Sequence, residues 1–150
     1  MMKVQRVWEK AGRPMHNISL APILLADPCY PYYRKEYKNY RGHQFWEEIQ
    51  LLTEATSLLN ECDDSLFKQE LKLTIDLLLH GCHLGKRQLS TPNLIIKEIE
   101  ERHIEKLIEE LKPLIDQYKE LWLNRSRPGG LTDSVGRFET LLEWYQNALD

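Results

Sequence analysis

Three side chains within one helical turn, His80, Cys82 and His83, are the best suited in this sequence to bind a metal, because imidazole and thiolate are both zinc ligands. Their spacing argues against a site. Neighbouring positions on a helix point in different directions, and no second pair such as CxxC or HxxxH follows to complete the set. The expectation is helix-end packing with solvated histidines and no metal. A metal-dependent protein built on these three residues is the alternative.

Acidic pairs are the next source of chemistry: Glu47-Glu48, Asp63-Asp64, Glu100-Glu101 and Glu109-Glu110. Two carboxylates across a glycosidic bond can act as acid and base. Asp63-Asp64, however, reads as the start of a helix, and the glutamate pairs read as solvated helix faces where ionised acids cost little. No glycine-rich loop of phosphate-binding spacing occurs, and the serines lack a nucleophile-elbow context. Cys29 lies between Pro28 and Tyr30 with nothing nearby to form a thiolate. No catalytic residue and no cofactor is expected.

One stretch organises the rest: Leu121-Trp122, then Arg125-Ser126-Arg127-Pro128-Gly129-Gly130-Leu131. Proline and glycine stop the incoming helix, while Thr132, Asp133 and Ser134 offer caps to the next one. Trp122, Arg125, Arg127, Pro128, Gly129 and Gly130 therefore form a tight helix–helix corner. Its guanidinium groups are suited to helix-end carbonyls, a carboxylate or an aromatic ring. Structural locking is the favoured role of the two arginines, and contact with another protein surface is the alternative.

This corner, with Ser134 after it, resembles a segment near the C-terminus of bacterial family-20 glycoside hydrolases, the β-N-acetylhexosaminidases. Ser126 stands where asparagine is common in that motif. Ile23-Leu24-Leu25-Ala26-Asp27-Pro28 is similar to the chain leaving the barrel in these enzymes. The resemblance implies a helical appendage that packs on a catalytic barrel and contributes to dimer contacts, in a hydrolase of carbohydrate metabolism that removes terminal N-acetylhexosamine. The family's catalytic Asp-Glu pair has no counterpart, since no Asp-Glu dipeptide occurs in this sequence. A stand-alone helical interaction or regulatory domain is the alternative.

The elements that must position these residues are helical. Apolar residues recur at three- and four-residue steps from His43 to about Cys62, from Leu66 onward, from Thr91-Pro92 to Trp122, and from Thr132 to about Leu149. Asp63-Asp64-Ser65 supplies caps for the second helix, expected to be the most buried, and Gly81 and Gly85 should fray or bend its end. Pro113 inside the third predicts a kink near residues 109–112 or two helices end to end. The fold expected is all-α: a four-helix antiparallel bundle over residues 43–150, preceded by a proline- and tyrosine-rich strap over residues 1–42. Tyr30, Tyr32, Tyr33 and Tyr37 of the strap are candidates for an interface, or for a local core against the bundle.

The totals agree with one domain. The chain has 150 residues, 42% hydrophobic and 29% charged, with a formal charge of -3 that offers no basic excess for nucleic acid. The longest apolar stretch, Ile18 to Ala26, is too short to span a bilayer. Three cysteines, Cys29, Cys62 and Cys82, suit free thiols in a reducing cytoplasm better than a disulfide scaffold. The partners expected are the enzyme's barrel or a second copy of the chain, with no nucleic acid and no membrane.

Overall fold

The computed structural model describes Leu25 and residues 42–150. The strap's Tyr30, Tyr32, Tyr33 and Tyr37, and the course expected for the strap, lie outside the described residues. Leu25 itself is buried in the core.

Four long helices and no strand occur among the described residues. They are α1 (Gly42–Asn60), α2 (Leu66–Gln88), α3 (Glu101–Arg125) and α4 (Leu131–Gln146), with a short 3-10 turn at Ile96–Glu98 before α3. Each helix packs on the next in sequence. Glu70 near the start of α2 pairs with Arg125 at the end of α3, while His83 near the end of α2 meets Glu110 in the first half of α3. These two helices therefore run in opposite directions. The same holds for α3 and α4: Lys119 pairs with Glu139, while Glu110, earlier in α3, and Tyr145, later in α4, both meet His80.

The core follows the helical period. Phe45 and Leu52 of α1, Leu78, Cys82 and Leu84 of α2, Ile104, Leu107, Leu111 and Ile115 of α3, and Val135, Leu141 and Tyr145 of α4 are buried in one cluster. Each fully buried large apolar side chain contributes about 1.5–3 kcal/mol. Burial along α2 is uneven. Its C-terminal half is enclosed, whereas Phe67 and Leu71 in its first turns are exposed; with eight buried residues against five in α3 and three in α4, it is still more buried than either, as expected.

Several boundaries differ from expectation. Ser65 caps α2 by accepting a bond from the Lys68 amide, with the Asp63 and Asp64 side chains exposed. Gly81 and Gly85 neither fray nor end α2, which continues to Gln88 with both glycines buried. Burial of the surrounding Cys82, Leu84 and Gln88 outweighs a propensity cost of about 1 kcal/mol per glycine. Thr91-Pro92 does not start α3. The Thr91 hydroxyl donates to the Gln88 carbonyl at 2.8 Å and so closes α2, leaving α3 to begin at Glu101. The intervening chain turns through Leu94, whose φ of 58° is unusual for a bulky residue, and Gln88 Nε2 donates to its carbonyl.

Pro113 is exposed within α3, which is a single helix and not two end to end. At the last corner, Gly130 precedes α4 in the left-handed conformation, φ 83°, with no side-chain cap. Thr132, Asp133 and Ser134 fall inside the first turn instead of capping it. The chain reverses so sharply at Gly130 that α4 begins before any of the three is reached.

Candidate functional site

Four of the polar residues of this core meet where α2, α3 and α4 touch. His80 and His83, three apart on α2, share the face toward α3. His80 Nδ1 lies 3.2 Å and His83 Nδ1 3.0 Å from the same oxygen, Glu110 Oε2. The other nitrogen of His80, Nε2, lies 3.1 Å from the Tyr145 hydroxyl of α4. His80 and Tyr145 are both buried, their rings edge to face at 5.8 Å.

These distances fix the protons. Burial is the largest influence on His80 and lowers its pKa against the opposing pull of Glu110, so the ring is neutral. A neutral imidazole has one donor and one acceptor. Nδ1–H donates to Glu110, and Nε2 accepts from the Tyr145 hydroxyl. Burial pushes Glu110 upward, yet the hydrogen bonds from His80 and His83 prevail and hold it at about 2. The carboxylate is ionised and accepts two N–H bonds. Both nitrogens of His80 are thereby committed, leaving no lone pair for a metal or for a substrate proton.

Cys82 lies elsewhere. Its Sγ donates to Glu48 Oε2 of α1 at 3.3 Å, on a different side of α2 from the two histidines. Burial, reinforced by the Glu48 charge and hydrogen bond, raises the thiol far above its ordinary value and keeps it protonated. The three residues whose types suit a metal are thus divided between two contacts. Among the described residues no group of three His, Cys, Asp or Glu side chains is arranged to hold a metal.

Two acids overturn the expectation of solvated glutamate faces, as does His80 the expectation of solvated histidines. Glu48 is only 1% exposed, and Glu110 is half-buried between the histidines. Their helical phase signals this: Glu48 follows Phe45 by three and precedes Leu52 by four, and Glu110 follows Leu107 by three and precedes Leu114 by four. Glu100, Glu101 and Glu109 are exposed as expected.

The corner is a second polar cluster, and its bonds are internal to the chain. Trp122 Nε1 donates to the Arg127 carbonyl at 3.0 Å, and Arg125 pairs with Glu70 of α2 at 2.8 Å. The Ser126 amide donates to the Trp122 carbonyl at 2.7 Å, and the Leu131 amide to that of Pro128 at 3.2 Å. Gly130 sits against the Trp122 ring, whereas Gly129 has open space around it. The Arg127 side chain is exposed.

An apolar groove of about 460 Å³ lies between α1 and α2, lined by Leu51, Ala55, Leu58 and Leu59 on one side and Leu71 and Ile75 on the other. Leu58 on its lining is 66% exposed, and Phe67, one turn before Leu71 on α2, is 64% exposed. Sequence periodicity counted Leu59, Phe67 and Leu71 as core and so missed the groove. None of the described helices is long and apolar enough to cross a membrane. Comparison with protein-family models, curated proteins and solved structures finds no match for this chain.

Proposed function

We propose that this chain is a non-catalytic, antiparallel four-helix module that works by packing on another protein surface. The apolar α1–α2 groove, with Leu58 and Phe67 exposed beside it, carries this reading. Clustered apolar side chains held in water are unfavourable unless a partner covers them, and covering each is worth about 1.5–3 kcal/mol. The ionisable groups with strong hydrogen bonds support the same reading, because His80, Glu110 and Cys82 are all occupied in holding helices together.

In its specific form the module resembles the C-terminal helical region of a family-20 β-N-acetylhexosaminidase, and its partner is that enzyme's catalytic barrel or a second copy of this chain. The Trp122 to Gly130 corner supports this form, since the residues that carry the resemblance are those that lock α3 to α2 and to α4. The stand-alone interaction domain is the second reading, favoured by a groove built from α1 and α2 alone. Its free Cys62 and Cys82 suit a cytoplasmic setting.

Sedimentation of the full chain, alone and mixed with a family-20 barrel, tests both. Binding to the barrel, lost in Leu58→Glu with Phe67→Glu, supports the appendage. Self-association lost in the same variant, with no barrel binding, supports packing on a second copy of the chain. A monomer indifferent to the barrel, or release of a chromophore from an aminosugar glycoside by the purified chain, would refute the proposal.

A further inference from the structure

A second crevice, at the other end of α2 from the groove, has the opposite character. It occupies about 210 Å³, walled by Trp46 and Ile49 of α1, Lys86 and Arg87 of α2, and His103 and Lys106 of α3. That is room for roughly seven waters at about 30 Å³ each. Two helices, α2 and α3, thus bring four basic side chains to one concavity on a protein whose formal charge is -3.

The lysines and the arginine among these are not consumed by ion pairs with described residues, and Lys86 rests over the Trp46 ring at 5.1 Å. Glu110 is the carboxylate on the lining, and its Oε2 accepts from His80 and His83. His103 Nδ1 is buried with no hydrogen-bond partner, and its Nε2 lies 3.9 Å from Glu100. Burial, then the charges of Arg87 and Arg102, hold the His103 pKa below its usual value.

We infer that this crevice binds a small-molecule phosphate monoester, its phosphate held by Arg87 and Lys106 and its ring laid on Trp46. A phosphate monoester carries about -1.5 to -2 charge and three acceptor oxygens, matching a guanidinium beside an ammonium better than a carboxylate does. The guanidinium fork of Arg87 spans two of those oxygens. Trp46, 53% exposed, offers a flat apolar face, and Lys86 is placed above it to move onto the phosphate. The site shares no residue with the apolar groove and does not depend on that groove's role.

Titrating the isotope-labelled chain with inorganic phosphate and with phenyl phosphate, followed by amide and indole NMR shifts, tests the assignment. Saturable shifts are expected at the Trp46 indole N–H and around Arg87 and Lys106. Phenyl phosphate should bind about tenfold more tightly than inorganic phosphate. Arg87→Gln and Lys106→Gln should each weaken binding about tenfold without moving the thermal midpoint, while Lys112→Gln, away from the crevice, leaves it unchanged. Trp46→Ala should erase the preference for phenyl phosphate. Shifts that never saturate, that spread over the lysines generally, or that survive Arg87→Gln overturn the site. Equal binding of the two probes overturns the ester and leaves free phosphate as the ligand.

Discussion

At the scale of single residues, the side chains that looked chemically active are those most firmly held. Cys82 donates to a buried carboxylate and stays a thiol, whereas Cys62 is exposed at the end of α1. Alkylation of the native chain, mapped by mass spectrometry, should modify Cys62 and spare Cys82 until the protein is unfolded; labelling of both at similar rates would contradict the buried contact. His80 predicts a pH dependence. Its folded pKa lies below the ordinary 6.5, so the unfolded chain takes up that proton first, and the stabilisation present above pH 6.5 declines as pH falls. Glu110 has the same sign at lower pH: its contribution is present above about 4.5 and is lost as pH falls toward about 2. Urea unfolding between pH 7.5 and 5.5 should therefore show falling stability, with a shallower slope in His80→Phe by up to about 1.4 kcal/mol per pH unit. His103→Gln isolates the contribution of His103, which is shifted in the same direction. An unchanged slope in His80→Phe would assign the dependence to other groups. The sequence made His80, Cys82 and His83 visible as residue types. It did not show their partners, because Glu48 and Glu110 lie about thirty positions away and only the packing of α2 on its neighbours brings them together.

At the scale of elements, hydrophobic period located all four helices, while their ends were decided by competition. Pro-Gly-Gly announced a stop, but only Gly130 has the positive φ that glycine tolerates freely. A Cβ there meets the Trp122 ring at 3.6 Å, an ordinary contact, so the penalty is conformational. Gly130→Ala should cost about 1 kcal/mol and Gly129→Ala much less, read from the urea midpoint at constant slope. Pro113 is a contrasting case. It is exposed inside a continuous helix, so Pro113→Ala restores a backbone donor and removes no buried contact. Stabilisation of about 2 kcal/mol is expected, less than the full helix-interior penalty because proline also restrains the unfolded chain. No gain in midpoint would show that α3 is already adapted to the proline. Thr91-Pro92 shows why such signals mislead. A hydroxyl before a proline can cap the next helix or close the previous one, and local sequence does not distinguish these roles.

At the scale of the molecule, a net charge of -3 conceals two unlike surfaces at opposite ends of α2. The apolar groove ends near Leu71, and the basic crevice begins at His83 and Lys86. Fifteen residues at 1.5 Å each place Leu71 and Lys86 about 22 Å apart, well beyond the range over which substitutions couple. Whole-chain totals average such surfaces away, so composition indicated one domain but neither site. The separation has a measurable consequence. Leu58→Glu with Phe67→Glu should abolish association while leaving the phenyl phosphate titration within about twofold of the parent chain. Arg87→Gln with Lys106→Gln should do the reverse. If either double variant impairs both measurements while keeping its thermal midpoint, the two ends of α2 communicate. The shared helix would then have to transmit a shift through the His80–Glu110 contact that lies between them.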